Sequence, residues 1–236
     1  MSSLRWLEFA AGPEALPNPA SALRDPNGLL AAGGSLEPEW LLTAYRHGIF
    51  PWYEEGQPIL WWCPDPRAVL EPRNLRVSRS LRKRLRRGTY AVTADRAFAA
   101  VVDACAAPRR YTDATWITDE MAAAYKRMHA LGWAHSFEAW HDERLAGGVY
   151  GIAIGRVFFG ESMFAADRDA SKVALVRGVE FLEERGCALI DCQIPSSHVT
   201  SLGASLLARE RFLRRLAALR EPAGTPGSWA AAMGCR

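Results

Sequence analysis

The sequence predicts an α+β protein with a small N-terminal domain over residues 1–66 and a second domain over residues 67–236 that contains a mainly antiparallel sheet. Nine of the 14 prolines and five of the nine tryptophans lie within the first 66 residues, which marks this stretch as a separate, turn-rich unit. Apolar runs between residues 134 and 164 are divided only by short turn signals, as in an antiparallel meander. Helical patterns lie before and after this meander, an order typical of the α+β class.

Within the N-terminal domain the sequence predicts one helix and one strand. Ser35 can cap a helix that begins near Glu37 and Pro38, because proline is favoured at the first helical position. Gly48 is the stop signal of this helix. Residues 59–62 have the pattern of a short strand.

The second domain is predicted to contain both helices and strands. Before the meander, the patterns predict strands at 67–71 and 89–94 and helices at 78–87, 95–106 and 118–131. The meander comprises strands at 134–141, 145–154 and 157–164. It is followed by a helix at 171–185, a strand at 188–194 and a helix at 208–219. The tail after Glu221 is rich in Gly and Ala, so we expect it to be loosely ordered.

One short segment carries most of the positive charge. Eight basic residues and no acidic ones lie between Arg73 and Arg87. Removing these eight charges from the formal net charge of +3 leaves −5 for the rest of the chain. The protein is therefore an acidic body with one concentrated basic segment.

The basic segment has helical geometry, with Ser78 as its cap. Leu81 and Leu85 lie on one side and can anchor the helix to a core. The opposite face carries Arg79, Arg82, Lys83, Arg86 and Arg87. Such a face suits a phosphate backbone, and a solvated charged surface is an equally good interpretation from this segment alone. A membrane-surface helix is disfavoured because the apolar side is only two leucines wide.

Cysteines and histidines give no metal or disulfide signature. The five cysteines at 63, 105, 187, 192 and 235 form no C-x-x-C pair, and the histidines show no H-x-x-x-H spacing. We expect reduced thiols, no metal and no cofactor. The longest uncharged apolar run, residues 145–155, is too short to span a bilayer. The N-terminus lacks a secretory signal, so a cytoplasmic location is expected.

Two strand patterns carry carboxylates among apolar residues. A period of two predicts that Glu161 and Met163 share one face, and that Asp191 and Gln193 share another. Each carboxylate alone is explained by a structural ion pair, to Lys172 or an arginine. Together they can instead line one acidic cleft that binds a cationic group and assists proton transfer from an amine.

Covalent catalysis has weaker support. Ser162 lacks the flanking glycine of a nucleophile elbow, and Cys192 with His198 six residues later is better explained by packing. A dense set of aromatic residues can stack a base or an apolar side chain, although core packing also explains it. These residues are Trp52, Tyr53, Trp61, Trp62 and Trp116.

Several unusual motifs occur in an order that spans most of the chain. They are PNGLLAAGGSLEPEWLLTAYRHGIFPWY (26–53), PILWWCPDPRAVL (58–70), SRSLRKRLRR (78–87), TWIT (115–118), HSFEAW (135–140), GESMF (160–164), ASK (170–172) and LIDCQ (189–193). With these motifs the sequence closely resembles the bacterial leucyl/phenylalanyl-tRNA–protein transferase family.

The resemblance implies an enzyme that transfers leucine, phenylalanine or methionine from aminoacyl-tRNA to the N-terminal Arg or Lys of an acceptor protein. We also expect this enzyme to be a monomer. The product would be an N-degron that marks the acceptor for proteolysis. The resemblance also implies a GNAT-like acyltransferase fold for the second domain and no cofactor.

Roles for individual residues also follow from the resemblance. Asp191 and Gln193 match the catalytic pair, and Glu161 matches a carboxylate of the substrate cleft. Residues of the aminoacyl and adenosine pocket are matched by Tyr45, Trp52, Trp116, Met163 and Leu175. The basic tRNA-binding cluster is matched by Arg79, Lys83, Arg86 and Arg87. Gly178 departs from the pattern, because relatives can place a bulky aromatic residue at the back of the pocket.

The expected mechanism is attack of the acceptor amine on the aminoacyl ester. We expect Asp191 to accept or relay the amine proton through Gln193, and Glu161 to hold the cationic side chain of the acceptor. An alternative has Asp191 also binding that cation. Two other functions are an acyl-CoA-dependent N-acetyltransferase and a non-catalytic tRNA-binding protein. The first is disfavoured because residues 165–171 contain two aspartates and no glycine.

Overall fold

The computed structural model describes residues 4–107, 117–221 and 226–233. Its helices are α1 (Pro38–Arg46), α2 (Arg79–Arg87), α3 (Phe98–Ala106), α4 (Asp119–Ala130), α5 (Ala170–Glu184), α6 (Ser197–Ser201) and α7 (Arg209–Leu219). The strands up to the meander are β1 (Arg5–Leu7), β2 (Leu29–Gly33), β3 (Phe50–Pro51), β4 (Leu60–Trp62), β5 (Arg67–Leu70) and β6 (Ala91–Ala94). The remaining strands are β7 (Ala134–His141), β8 (Arg144–Ile154), β9 (Val157–Ala165), β10 (Leu189–Gln193) and β11 (Ser205–Leu207).

A large sheet of seven strands forms the centre of the described fold, in the order β11-β5-β10-β9-β8-β7-β6. Neighbouring strands are antiparallel except for β9 and β10, which are parallel and are connected through α5. The predicted α+β class and mainly antiparallel sheet are confirmed. A smaller sheet near the N-terminus has the order β1-β2-β4-β3.

The two faces of the large sheet are covered by different elements. One core joins the N-terminal segment, α1, α3 and α4 to one face, and it includes the stacked rings of Trp40 and Trp61. A second core lies between the opposite face and α5, and Leu81 of α2 belongs to it. The sheet therefore supplies side chains to two separate packing layers.

All the elements predicted from the sequence are present, with boundaries that differ by no more than three residues. The prediction that Ser35 caps α1 is wrong, because Glu37 is the N-cap residue. Ser35 instead accepts a hydrogen bond from the backbone N–H of Glu37. The cap of α2 is as predicted, since Ser78 accepts a hydrogen bond from the N–H of Leu81.

The tail is ordered where the structure describes it, contrary to the sequence prediction. Within residues 226–233, the ring of Trp229 stacks on His135 with centroids 3.5 Å apart. The N–H of Trp229 donates to Asp95 at 2.7 Å, and Met233 is buried. Aromatic stacking and burial hold this segment, which its Gly- and Ala-rich composition did not indicate. Within the described ranges, no helix has both the length and the apolar character needed to cross a membrane.

Candidate active site

The candidate active site begins at an irregularity in strand β9. Gly160 pairs with Gly151 and Ser162 pairs with Tyr150, so Glu161 is an additional residue on the β9 side of the ladder. A bulge of this kind changes the direction of a side chain relative to the regular alternation of a strand. Glu161 is therefore displayed by the bulge.

A second irregularity lies on the neighbouring strand β10. Asp191 pairs with Val69 and Gln193 with Ala68, which leaves Cys192 as the additional residue. Gln193 has a φ of +60°, a left-handed conformation that is uncommon for residues other than glycine. Such conformations often occur where a functional side chain has been redirected.

The bulge in β9 overturns the prediction that Glu161 and Met163 share one face. Met163 packs against the core beneath α5, whereas Glu161 makes hydrogen bonds to tyrosines of the opposite core. On β10, Asp191 binds Arg67 and Gln193 binds Glu161. A strict period of two cannot predict where an extra residue enters a ladder.

Glu161 is the centre of a hydrogen-bonded cluster. Its Oε1 accepts from the hydroxyl of Tyr45 at 2.8 Å and from Nε2 of Gln193 at 2.8 Å. Its Oε2 accepts from the hydroxyl of Tyr125 at 2.6 Å. The two hydroxyl oxygens are themselves 2.7 Å apart. Elements α1, α4, β9 and β10 thus meet at one carboxyl group.

The number of protons in this cluster is informative. Tyr45, Tyr125 and Glu161 make three mutual contacts, but the two phenols carry only two hydroxyl protons. A proton on Glu161 lets the carboxyl donate to one phenol, and the hydroxyl proton of that phenol is then free for the contact between the two tyrosines. The cluster is therefore complete when Glu161 holds a proton, and one contact lacks a proton when Glu161 is ionised.

The electrostatics of the cluster agree with this geometry. Burial, with a smaller contribution from the negative charge of Asp191, raises the pKa of Glu161 to about 7 against the opposing effect of the hydrogen bonds from Tyr125, Tyr45 and Gln193. Burial and the charge of Glu161 raise the pKa of both tyrosines well above 10. A carboxyl group with a pKa near neutrality can accept and release a proton at physiological pH.

Asp191 has a different environment from Glu161. Arg67 holds it through two charge-assisted hydrogen bonds, from Nε at 2.8 Å and from an Nη at 2.7 Å, and neither side chain is exposed. The Oδ1 atom of Asp191 also accepts the backbone N–H of Gln193 at 2.9 Å. An ion pair with an arginine was one of the explanations that the sequence allowed for Asp191, and the structure contains this ion pair.

The guanidinium of Arg67 also packs between aromatic rings. It lies 4.8 Å from the ring centroid of Phe50 and 4.6 Å from that of Phe212. Asp191 raises the pKa of Arg67 against the opposing effect of burial. Arg67, which the sequence analysis did not select, fixes the position of Asp191 and, through it, the backbone of Gln193.

An apolar cavity of about 170 Å³ opens beside this cluster. Glu161, Ser162 and Gln193 supply polar groups to its lining. Met163, Leu175 and Gly178, all singled out from the sequence, line it as well. The cavity is also lined by six apolar residues that were not predicted to belong to the site, namely Phe137, Val149, Phe158, Val179, Leu182 and Ile190. Their apolar character alone did not distinguish them from other core residues.

The remaining aromatic candidates are not gathered into one surface. Trp52 is 39% exposed, and its ring lies 5.5 Å from that of Trp62. Tyr45 is fully buried, so it offers no free ring face for an adenosine and instead supports Glu161. Trp61 is a core residue. Trp116 lies outside the described residues.

Cys192 has the properties of a packed thiol. Burial raises its pKa to about 12, which disfavours the thiolate that a nucleophile requires. His198 lines the same cavity, and burial lowers its pKa. Across the described ranges, no three His, Cys, Asp or Glu residues are grouped closely enough to hold a metal ion.

The basic helix α2 presents its charges to solvent. The exposed residues are Arg79, Arg82, Lys83, Arg86 and Arg87. None of these five forms an ion pair with a described residue, whereas Arg84 pairs with Asp169 at 3.1 Å near the start of α5. The charged face predicted from the sequence is therefore available for an external anion.

Two solved structures that match this chain are only distantly similar to it. "The structure of L-PGS from Bacillus licheniformis" matches with a TM-score of 0.41 and 11% identity over 72% of this chain and 53% of that chain. "GCN5-related N-acetyltransferase from Kribbella flavida" matches with a TM-score of 0.37 and 15% identity over 72% of this chain and 61% of that chain. Similarities at this level support no inference about the present chain.

Sequence comparison gives much stronger matches. The family described as "Leucyl/phenylalanyl-tRNA protein transferase" matches residues 69–217, and its N-terminal domain family matches residues 34–65. The leucyl/phenylalanyl-tRNA–protein transferase of Stutzerimonas stutzeri (strain A1501) is 61% identical over 84% of this chain and 87% of that relative. The transferase of the same name from Azoarcus sp. (strain BH72) is 56% identical over 91% of this chain and 92% of that relative. This chain therefore belongs to the leucyl/phenylalanyl-tRNA–protein transferase family.

Proposed function

We propose that this protein is an aminoacyltransferase that moves leucine, phenylalanine or methionine from aminoacyl-tRNA to the N-terminal Arg or Lys of an acceptor protein. The observation that carries the proposal is the apolar cavity of about 170 Å³ beside the Glu161–Gln193 cluster. A cavity of this kind suits an apolar donor side chain, and the polar groups at its edge suit the reacting amine and ester.

The reaction needs little chemical activation from the protein. The amine nitrogen attacks the ester carbonyl, and the tetrahedral intermediate collapses with loss of the ribose oxygen of the terminal adenosine. One proton leaves the attacking nitrogen, and one proton is taken up by the departing ribose oxygen. An α-amino group has a pKa of about 7.7–8.0, so a useful fraction is neutral at physiological pH. Positioning and one proton acceptor therefore suffice.

Glu161 is the proton acceptor in this mechanism. Its pKa of about 7 matches an amine donor, and Glu161 is one of the residues that line the cavity. This differs from the expectation that Asp191 takes the proton, because both carboxylate oxygens of Asp191 bind Arg67 in a fully buried pair. Asp191 acts instead as a positioning residue that holds the backbone N–H of Gln193.

Acceptor selectivity can arise at the same carboxyl group. A positive charge close to a carboxyl group lowers its pKa and favours the ionised form. An N-terminal Arg or Lys that enters near Glu161 would thus create the carboxylate that receives its own α-amino proton. A neutral N-terminal residue would leave Glu161 with its raised pKa, so transfer to it would be slower.

Helix α2 would bind the tRNA. Its exposed face carries Arg79, Lys83, Arg86 and Arg87 on one side of a helix that packs against α5. Helix α5 in turn contributes Leu175 to the cavity lining. Phosphate contacts on α2 would therefore bring the charged end of a tRNA towards the cavity. Trp52 and Trp116 would stack on the terminal adenosine.

The start of α5 favours aminoacyl-tRNA over acyl-CoA as the donor. A CoA pyrophosphate requires free N–H groups and positive charge at a helix N-terminus. Here Asp169 occupies the N-cap position of α5, and Asp167 lies two residues before it, paired to Arg144 at 2.6 Å. Two carboxylates at this position would repel a pyrophosphate.

The proposal includes the setting of the reaction. The protein would act as a monomer in the cytoplasm, where aminoacyl-tRNA and newly exposed protein N-termini are both present, and its product would be an N-degron. Residues 1–66 and 67–236 would form its two domains. The family matches, which fall on residues 34–65 and 69–217, support this division.

The test is transfer of labelled leucine from Leu-tRNA to a peptide that begins with Arg, beside the same peptide that begins with Ala. Labelled acetyl-CoA serves as a parallel donor. We expect transfer from Leu-tRNA to the Arg peptide and little transfer to the Ala peptide. Acetylation without aminoacyl transfer would contradict the proposal, and tRNA binding without transfer of leucine, phenylalanine or methionine would indicate a binding protein.

A further inference from the structure

We infer that Phe137 on strand β7 determines which donor side chain is accepted, because its ring takes the place that a side chain on α5 would otherwise fill. The inference rests on the proposed function and identifies the specificity-determining residue of the same cavity. Phe137 lies outside the set of residues that the sequence analysis connected with the donor.

The first observation is the contact between Phe137 and Gly178. A Cβ atom built on Gly178 would lie 2.5 Å from Cδ2 of Phe137 and 2.8 Å from its Cγ. Carbon atoms do not approach so closely, so any larger residue at 178 would require the ring to move. The aromatic ring of β7 and the missing side chain of α5 are therefore complementary.

The second observation is the row of residues across the sheet. Phe137 pairs with Val149, and Val149 pairs with Met163, so the three lie side by side on β7, β8 and β9. All three line the cavity. Cross-strand neighbours of this kind present a continuous surface, with Phe137 at one end of the row.

The third observation is that Phe137 and the reacting groups belong to strands that are not neighbours in the sheet. Glu161 and Gln193 belong to β9 and β10, whereas Phe137 belongs to β7, on the far side of β8. The chemistry therefore takes place at one end of the cavity, and Phe137 closes the other. A residue at the closed end limits the length of the side chain that fits.

The position of Phe137 is rigid. Its side chain is 1% exposed and is surrounded by aromatic rings, with centroids 6.0 Å from Phe158, 5.8 Å from Phe181 and 5.9 Å from Trp229. A ring held on several sides cannot swing away at low cost to admit a larger donor. The preference for one donor side chain is therefore determined by a rigid core residue and not by a mobile loop.

The experiment measures kcat/KM for Leu-tRNA and Phe-tRNA with one Arg peptide. In Phe137→Val the closed end recedes, so leucine fills the cavity poorly and phenylalanine fits better. We expect the ratio of phenylalanine to leucine transfer to rise by at least about tenfold, since single methylene differences in apolar pockets already change selectivity by this factor. A second variant, Phe137→Leu, removes less volume and should change the ratio in the same direction.

The matched control is Phe181→Val. Phe181 is 2% exposed and belongs to the same aromatic cluster, but it is not among the residues that line the cavity. Its truncation should lower thermal stability to a similar extent and leave the donor ratio unchanged. The double variant Phe137→Val/Gly178→Phe returns an aromatic ring from the helix, and it should restore the ratio towards that of the unmodified protein.

The outcomes separate this inference from the proposed function. If the unmodified protein transfers none of the three amino acids, the proposed function fails. If it transfers them, and folded Phe137 variants keep the original donor ratio, the inference is wrong. A ratio that changes equally in Phe181→Val would also contradict it, since a general loosening of the core would then explain the effect.

Discussion

At the scale of single residues, Glu161 and Asp191 show that two carboxylates of the same site can have opposite physical roles. Asp191 is neutralised by a buried arginine, whereas Glu161 is bonded only to hydroxyl and amide groups. Charge pairing keeps a buried carboxylate ionised, and burial without a cation raises its pKa. The assignment of the proton acceptor to Glu161 follows from this difference.

The role of Asp191 can be tested by Asp191→Asn. Removal of one partner leaves the charge of Arg67 buried and unpaired, which costs about 3–5 kcal/mol of unfolding free energy. We expect urea denaturation to show such a loss. Residual transfer by the folded fraction should keep the acid limb that Glu161 produces, moved to lower pH because the charge of Asp191 no longer raises the pKa of Glu161.

The control for that experiment is Asp167→Asn. Asp167 also pairs with an arginine, Arg144, but that pair lies at the surface and should change stability little. Equal stability of the Asp191→Asn and Asp167→Asn variants would contradict the structural role of the buried pair. If the transfer rate of Asp191→Asn no longer fell at low pH, the result would indicate that Asp191, and not Glu161, is the proton acceptor.

At the scale of elements, the sequence predicted regular helices and strands well and their irregularities poorly. Helix α2 was identified with its cap and its exposed face because local periodicity and capping contain that information. The bulges at Glu161 and Cys192 were missed because a bulge depends on which strand lies alongside. Strands β1, β2, β3 and β11 have two to five residues each and give too little pattern to recognise.

The charged face of α2 has a measurable consequence. We expect Lys83→Gln/Arg86→Gln to weaken tRNA binding and to reduce the slope of log affinity against log salt by up to about 1.8, because each lost phosphate contact contributes about 0.9 for a duplex. Filter binding of uncharged tRNA over a series of salt concentrations measures this slope.

Helix α7 offers a matched control for the same experiment. Arg211→Gln/Arg214→Gln removes two exposed charges from that helix, so the net charge of the protein changes equally. This variant should bind tRNA with a nearly unchanged salt slope. If both double variants lower the slope to the same extent, binding follows the net charge and not the face of α2.

At the scale of the whole molecule, the site draws on both of the cores that cover the two faces of the large sheet. The first core contributes Tyr45 and Tyr125 to the Glu161 cluster, and the second contributes the apolar cavity beneath α5. The sequence motifs identified Glu161, Gln193 and Met163, but they could not show that Tyr125 and Arg67 complete the site, since these contacts join residues 36 and 124 positions apart. Long-range contacts of this kind are set by tertiary packing.

The central claim is that Glu161 receives the proton of the attacking amine. It is tested most directly by single-turnover transfer of leucine from Leu-tRNA to the Arg peptide between pH 5.5 and 8.5, with the unmodified protein and Glu161→Gln. Ionised Glu161 is the active form, so its loss as pH falls through its pKa adds an acid limb to that of the amine. With the Arg peptide bound this limb lies below the pKa of about 7 of the free protein, because the cation of the acceptor lowers the pKa of Glu161. The account predicts that Glu161→Gln is slower by about 10²–10⁴-fold and lacks this additional limb. Transfer by Glu161→Gln at the unmodified rate, with the same pH profile, would contradict it.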